Sequence, residues 1–332
     1  MSETRSSPLT LAELGQLLDL DKSTVSLALR DSPKIAEETR RRVRAAATRY
    51  GYRTNIAARQ LNQGGRVLSM IGMFLPKSLA SLSSPMVVRT IQTLSQLAAQ
   101  RGLVFQLLST AALGGDAGVA SSGLALRPDA SLIWGDVPLD EAAPLLAHGA
   151  RSLVIDPNHV SYAAYRGPAI GLDNRGGAEG IVRHLLERGA QRLLFVQQDP
   201  NHLGHQARWH GARTAWIARR PLDTLAACAL DDLTDERLLR FTAEPAGAII
   251  CSNDCGGLMV WRRLQRLGRP APEHARIASF DGEEYARIVG LTTAVFDYDR
   301  LARTAFAALT GEAADQSAPA PIPFQLHVGE TT

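Results

Sequence analysis

From Val67 onward, short apolar runs alternate with stretches whose apolar residues recur at helical spacing, and few architectures accommodate that rhythm. Strands are expected at Val67–Leu75, Leu103–Leu108, Ala130–Trp134, Ser152–Asp156, Arg192–Val196, Gly247–Cys251 and Ala275–Phe280. Between them, helices are expected at Val87–Gln100, Leu139–His148, Ala178–Arg188, Gly211–Arg219, Leu258–Leu267 and Arg300–Leu309. Repeated strand–helix units imply parallel sheets covered on both faces. At 332 residues the chain exceeds what one core usually serves, so two such lobes are expected. Ligands of open α/β sheets bind beyond the carboxyl ends of strands, which makes the cleft between the lobes the expected site.

The first fifth of the chain is different. Residues 1–63 carry 11 Lys and Arg against 7 Asp and Glu, whereas the remainder carries 25 against 26. The whole-chain charge of +3 hides this split, which suits a polyanionic partner for the N-terminal segment. A solvated basic face is the alternative. Thr10 with Glu13 forms a capping-box pattern, and Leu11, Leu14 and Leu18 follow at helical spacing. Asp21 can cap a second helix, Lys22–Leu29, with Val25 and Leu29 inward. Glu37 and Glu38 favour the start of a third helix, which runs to about Tyr50 and stops at Gly51. Two short helices joined by a tight turn fit the helix-turn-helix unit, whose second helix enters the major groove. Spacing alone leaves open a plain three-helix cap.

The runs Thr10-Leu11-Ala12-Glu13-Leu14, Ser23-Thr24-Val25-Ser26-Leu27-Ala28-Leu29, Glu37-Glu38-Thr39-Arg40 and Tyr50-Gly51-Tyr52-Arg53-Thr54-Asn55 keep one register without a gap through Leu61. In this they resemble the DNA-binding headpiece of the LacI/GalR (lactose/galactose repressor) family. The resemblance implies a sequence-specific DNA-binding regulator, a repressor by expectation, whose operator affinity a small molecule controls. It implies an all-α helix-turn-helix headpiece (1–53), a hinge helix and linker (54–65), and a core for effector binding and dimerisation (66–332). That core would be an α/β, two-lobed, periplasmic-binding-protein-like unit with parallel sheets. Its first lobe takes in about 66–170 plus 299–318, and its second about 171–298 plus 319–332.

Lys22 and Ser23 begin the second helix, where side chains reach base edges; Lys22 can donate to guanine O6 or N7. By resemblance, Leu27 also faces bases, while Thr10, Thr24, Ser26, Thr39 and Asn55 contact phosphate. A cap or solvent role is as open for each hydroxyl taken singly. Leu27 stands where some members carry a base-reading Arg, Arg30 replaces a common Asn, Ala36 a Ser cap and Thr54 a Pro. These departures bear on which operator is read. The hinge, Asn55–Asn62, is too short to be a stable isolated helix, so it suits folding on binding. The family places Ala58 and Leu61 in the minor groove, Leu61 as a wedge that kinks the duplex. Packing of Leu61 on the core is the bland alternative.

The likeness continues through the core. Gly171-Leu172-Asp173-Asn174 resembles the entry to the second lobe, and Arg208-Trp209-His210-Gly211 a ligand-binding Arg with a helix-start Gly. Ser252-Asn253-Asp254 and Ser279-Phe280-Asp281 resemble pocket motifs, Leu291-Thr292-Thr293 a return crossing, and Val328-Gly329-Glu330-Thr331 the terminal strand. The resemblance makes Arg208, Asn253 and Asp281 effector contacts, with Asp156, Ser84 and Trp134 as further candidates. The set suits a polyol: carboxylates accept hydroxyl hydrogens, Asn donates and accepts, and Arg donates in a planar fork. Trp134 could stack on a sugar face or simply fill the core, and Asp173 could be a structural crossover carboxylate. Met86 stands where an aromatic is frequent. Ala111–Leu126, rich in Gly, Ala and Ser, is read as a loop over the first lobe.

Other chemistries find less support. His202, His205 and His210, expected across a loop and a helix start, lack accompanying ligands, and Cys251 and Cys255 lack a second zinc-ligand pair. No phosphate loop, nucleophile elbow or paired-carboxylate motif stands out, so no enzyme, metal or cofactor is expected. No 18-residue apolar run spans a membrane, Met1–Ser7 lacks a signal sequence, and Cys228, Cys251 and Cys255 cannot make a disulfide framework. A cytoplasmic, nucleoid-associated homodimer with duplex DNA and a carbohydrate effector as partners is expected. The alternatives are a sugar-binding protein that does not bind DNA and a cytosolic sugar-modifying α/β enzyme.

Overall fold

The computed structural model describes residues 11–29, 32–50, 68–77, 82, 84–110, 128–147, 151–244, 246–312 and 320–332. It comprises two compact units, one within Met1–Val67 and one within Leu68–Thr332. Thr10, Asn55, Ala58, Leu61 and the Ala111–Leu126 segment lie outside the described residues.

The N-terminal unit holds helices α1 (Leu11–Leu18), α2 (Lys22–Leu29) and α3 (Glu37–Arg49). Leu14, Val25, Ala28, Val43 and Ala46 are its buried core, with Leu11, Leu18, Leu20, Leu29 and Ile35 packed around them. The turn between α1 and α2 closes through Leu20 N–H donating to the Gly15 carbonyl at 3.0 Å, with Asp19 left-handed at φ 53°. A Cβ on Gly15 would stand 2.6 Å from the Leu20 carbonyl oxygen, so only glycine lets the chain turn this tightly. Arg42 donates to the Leu18 carbonyl at 2.8 Å, tying α3 to the otherwise unsatisfied end of α1.

The larger unit carries two sheets. The first contains β1 (Met70–Leu75), β2 (Val104–Ser109), β3 (Ala130–Trp134), β4 (Arg151–Ile155) and β5 (Ala169–Ile170), all parallel, in the order β2-β1-β3-β4-β5. Helices α4 (Pro85–Gln100) and α5 (Leu139–Ala147) connect its strands. The second contains β6 (Arg192–Gln197), β7 (Leu225–Ala229), β8 (Gly247–Cys251), β9 (Ala275–Asp281), β10 (Thr292–Phe296) and β11 (Phe324–His327), in the order β11-β10-β9-β8-β6-β7. All of its pairings are parallel except the antiparallel β10–β11. Around it lie α6 (Asn174–Glu187), α7 (Leu203–Ile217), α8 (Asp235–Phe241), α9 (Asp254–Arg266) and α10 (Glu284–Ile288).

Successive residues of one strand are buried on opposite faces. Leu193 and Phe195 join one cluster while Leu194 and Val196 join another, which is why these strands read as continuous apolar runs. The chain passes between the sheets at Leu172, which bridges to Ile322, and again at Tyr298, where α11 (Tyr298–Thr310) begins and packs beside α4 on the first sheet.

Several boundaries differ from expectation. The helix expected at Gly211–Arg219 is α7, which begins eight residues earlier at Leu203; Gly211 lies within it, against the Arg175 backbone, rather than at its start. Leu291-Thr292-Thr293 enters strand β10 instead of crossing between lobes. The terminal strand is β11, and Val328-Gly329-Glu330-Thr331 follow it, Thr331 donating to the Ile277 carbonyl. Strands β5, β7 and β10 and helices α8 and α10 were not anticipated. β5 is two residues long, and β7 is an edge strand with two exposed positions, so neither shows a buried apolar run.

Candidate functional site

On α2, Val25 and Ala28 face the core, which sends Lys22, Ser23, Ser26 and Leu27 to the other side. Lys22 and Ser23 are exposed, and Thr24, Ser26, Leu27 and Thr39 are half-buried. Arg41, Arg42 and Arg44 on α3 are exposed as well. Two short helices meeting at a tight turn thus present the start of the second, unobstructed, from a basic unit.

In the core, two aspartates end neighbouring structural layers in unusual backbone conformations. Asp156 follows β4 at φ 52° and Asp281 ends β9 at φ 106°, conformations that non-glycine residues adopt at a cost of roughly 1–3 kcal/mol. Arg208, on α7 and almost completely buried, reaches between them. Its Nη2 pairs with Asp281 Oδ1 at 2.9 Å, Nε donates to Asn174 Oδ1 at 2.7 Å, and Nη1 donates to the Ser252 carbonyl at 2.6 Å. The guanidinium also lies 4.7 Å from the Phe280 ring centroid and 5.6 Å from that of Phe296. A buried cation fixed by three acceptors and two rings is held in one orientation.

Asp156 is buried, and burial pushes its carboxyl up to about 6, against the pull of the Asn158 amide and of Arg208. The Asn158 amide donates to it at 2.7 Å. Burial also drives His202 down to about 4 and His205 down to about 2, reinforced in both by Arg208, so both are neutral near pH 7. Their rings stack at 4.1 Å rather than converge on a common point, and His202 caps α7 by accepting from His205 N–H at 3.2 Å. Among the described residues no cluster of three or more His, Cys, Asp or Glu could hold a metal ion.

Tyr298, buried at the crossing, donates its hydroxyl to the Asp281 carbonyl at 3.2 Å. Burial raises its phenol far above the ordinary value, and the charges of Asp281, Arg208, Asp156 and Glu283 all act on it. A cavity of about 270 Å³ opens beside this group, lined by Asp156 and Asn158 from the first lobe and by Asn174, Arg175, Gly204 and Ala207 from the second. Leu203 N–H donates to the Asn158 carbonyl at 2.7 Å, closing one edge.

The structure therefore brings Arg208, Asp281 and Asp156 together. Asn253 joins them through the neighbouring Ser252 carbonyl, but its side-chain oxygen caps α9 by accepting from Gly256 N–H at 2.8 Å. Ser84 precedes α4 and is half-buried. Trp134 is a correction: its ring is sealed in the first-lobe core, with the indole N–H directed to Asp136 at 3.1 Å, so it offers no face to a ligand. Asp173 takes the structural alternative, capping α6 through Gly176 N–H at 2.9 Å. His205 and His210 lie inside α7 rather than across a loop.

Sequence reading missed Asn158, Glu283 and Tyr298, which carry no motif of their own, and gave no site role to Asn174, which lay within the lobe-entry motif. It also passed over Asp254, which sat inside a quoted motif. That carboxylate is fully buried and accepts from Ser279 Oγ at 2.5 Å, Thr293 Oγ1 at 2.7 Å and Glu283 N–H at 2.7 Å. Burial and the charge of Asp281 raise it, the three donors oppose the rise, and the outcome is a pinned turn immediately after Asp281.

Comparison with known proteins bears on both regions. Residues 21–55 match the model for bacterial regulatory proteins of the lacI family, and residues 182–332 that of the periplasmic binding protein-like domain. Over 301 residues the chain is 26% identical to the HTH-type transcriptional regulator CelR of Thermobifida fusca, covering 86% of this chain and 85% of that one. Residues 21–55 thus carry the match to the lacI family, on a chain similar over most of its length to an HTH-type transcriptional regulator. The chain shares its fold with the Lac repressor dimer bound to operator and the anti-inducer ONPF, at a TM-score of 0.75 and 19% identity. That match covers 98% of this chain and 99% of the other. The structure of a CelR–cellobiose complex also matches, at a TM-score of 0.62 and 19% identity over 98% of this chain and all of that one. The fold is thus a helix-turn-helix unit and a two-lobed α/β core on one chain.

Proposed function

We propose that this transcriptional regulator binds a sugar or sugar derivative between its core lobes, and that the bound ligand controls its affinity for operator DNA. The observation that carries the reading is Arg208, a buried cation fixed by Asp281 and Asn174 beside an interlobe cavity, on a chain whose residues 21–55 match the lacI family. Cellobiose in the complex of the structurally similar CelR supports a carbohydrate as the ligand class.

On DNA, Lys22 and Ser23 read base edges with Leu27 beside them, and Thr24, Ser26 and Thr39 hold phosphate, as do Thr10 and Asn55. Ala58 and Leu61 enter the minor groove, by the family likeness alone. The chain acts as a homodimer in the cytoplasm, on the nucleoid, one unit per half-site. Met259 and Ile288, exposed on the neighbouring α9 and α10, supply apolar surface that a second copy would cover. Ligand binding shifts affinity only insofar as it favours one arrangement of the lobes over the other.

The test is selection of a duplex from a random pool with full-length protein, followed by titration of the selected duplex with and without a mixture of mono- and disaccharides. A selected sequence whose affinity changes with the sugar mixture is expected. No preference over random duplex at moderate salt in either condition would refute the reading.

A further inference from the structure

We propose that the cleft takes an uncharged, polyhydroxylated ligand and rejects phosphorylated and carboxylated ones, because its buried cation is already bonded within the chain and all but one of its helix starts carry a carboxylate. The inference rests on reading the cleft as the effector site and narrows what it accepts.

Two kinds of feature hold anions in an α/β core: buried cations and the free N–H groups of helix starts. Among the described residues Arg208 is the buried cation there, and three of its five N–H donors are engaged, by Asp281, Asn174 and the Ser252 carbonyl. The two histidines beside it are neutral, so they add no positive charge.

The helix starts beyond the strand ends are filled as well. At α4, Met86 N–H donates to the carboxylate of Glu283, which reaches across from the second lobe. At α5, Leu139 N–H donates to Ser161 Oγ at 2.9 Å, and Asp140 and Glu141 occupy the first turn. At α6 the cap is Asp173, and at α7 it is the neutral His202. At α9 the cap is Asn253, with the buried Asp254 in the first turn. At α11 it is Asp297, accepting from Arg300 N–H at 2.7 Å. A phosphate entering any of these but α7 would meet a carboxylate, and at α7 the cations at hand are the committed Arg208 and the exposed Arg175.

What is left over is acidic. With Arg208 matched by Asp281, Asp156 and Glu283 have no matching buried cation among the described residues; burial pushes Glu283 up to about 7, helped by the charge of Asp281. Such carboxylates accept hydroxyl hydrogens well and face an incoming anion badly. Arg175 lines the cavity but is exposed, so water and salt screen it.

The experiment uses the full chain, thermal stabilisation and calorimetry at constant ionic strength. The probes are matched pairs, glucose with glucose 6-phosphate and cellobiose with cellobionate, and inorganic phosphate alone. A neutral member is expected to bind at least about tenfold more tightly than its anionic partner, with no saturable response to phosphate. Asp156→Asn combined with Glu283→Gln should gain a saturable phosphate response; a folded variant without that gain would show that these carboxylates are not what excludes anions. Saturable phosphate or glucose 6-phosphate binding by the unaltered protein, lost in Arg208→Ala or Arg175→Ala, would overturn the proposal. Silence toward every sugar, with the phosphate gain present in the variant, would instead refute the cleft as a sugar site and leave anion exclusion standing.

Discussion

Asp281 holds Arg208 at 2.9 Å while its own backbone sits at φ 106°, so the strained residue and the buried cation fix each other. The ion pair favours the strained turn, and the turn points the carboxylate at the guanidinium. Gly282 N–H donates to Thr293 Oγ1 and Glu283 N–H to Asp254, which locks the turn from behind.

Removing Arg208 should therefore cost more than one contact. Arg208→Ala leaves Asp281, Asn174 and the Ser252 carbonyl without their donor, and a loss of about 3–5 kcal/mol in urea unfolding of the core is expected. Arg208→Lys keeps the charge but not the fork and should lose less. Both should abolish the sugar response while operator affinity, read by fluorescence anisotropy, persists. A normal response in the folded Lys variant would remove Arg208 from the site.

Asp156 predicts a pH-dependent gain. Its carboxyl ionises near 3.8 when unfolded and near 6 when folded, so the folded state keeps the proton longer and loses stability as pH rises through that window. Asp156→Asn should stabilise the core at pH 7 by up to about 3 kcal/mol, with the gain fading toward pH 4. Sugar binding should weaken in the same variant. Thermal melts from pH 4 to 8 check the slope, and an equal effect at every pH would contradict it.

Gly15 makes a prediction for the N-terminal unit alone. Gly15→Ala places a methyl 2.6 Å from the Leu20 carbonyl, which must move. A loss of about 1–3 kcal/mol in so small a core should unfold much of that unit and weaken operator binding at least tenfold. Sugar binding by the larger unit should be unchanged.

Lys22 and Thr39 should separate reading from holding. Lys22→Ala is expected to cost about 1–3 kcal/mol on the selected operator and to relax preference at one base position. Thr39→Ala should weaken selected and random duplexes alike. Equal losses on both duplexes for Lys22→Ala would place that side chain on phosphate.

The βα rhythm announced two parallel-sheet lobes, because strands buried on both faces must be apolar throughout, as in Ala130–Trp134 and Gly247–Cys251. The edge strand β7 and the two-residue β5 were invisible for the same reason: half-exposed or very short strands carry no such run. The helix α7 was placed too late because Gly204, His205 and Gly211 dilute its pattern, yet Gly211 lies inside the helix where α6 packs closely.

By itself, the sequence determined the three-helix unit with its basic excess and the two-lobed α/β core, while Arg208, Asp281 and Asp156 came forward through the resemblance to the LacI/GalR family. The units follow from periodicity and composition, and the resemblance from motif, all local properties of the chain. Only the tertiary structure decided that Trp134 is sealed in a core, that Asn174 and Tyr298 complete the site, and that Glu283 occupies the start of α4. Those partners lie far apart in sequence, and what an ionisable group does in a cleft depends on which neighbours desolvate it and which already bond to it.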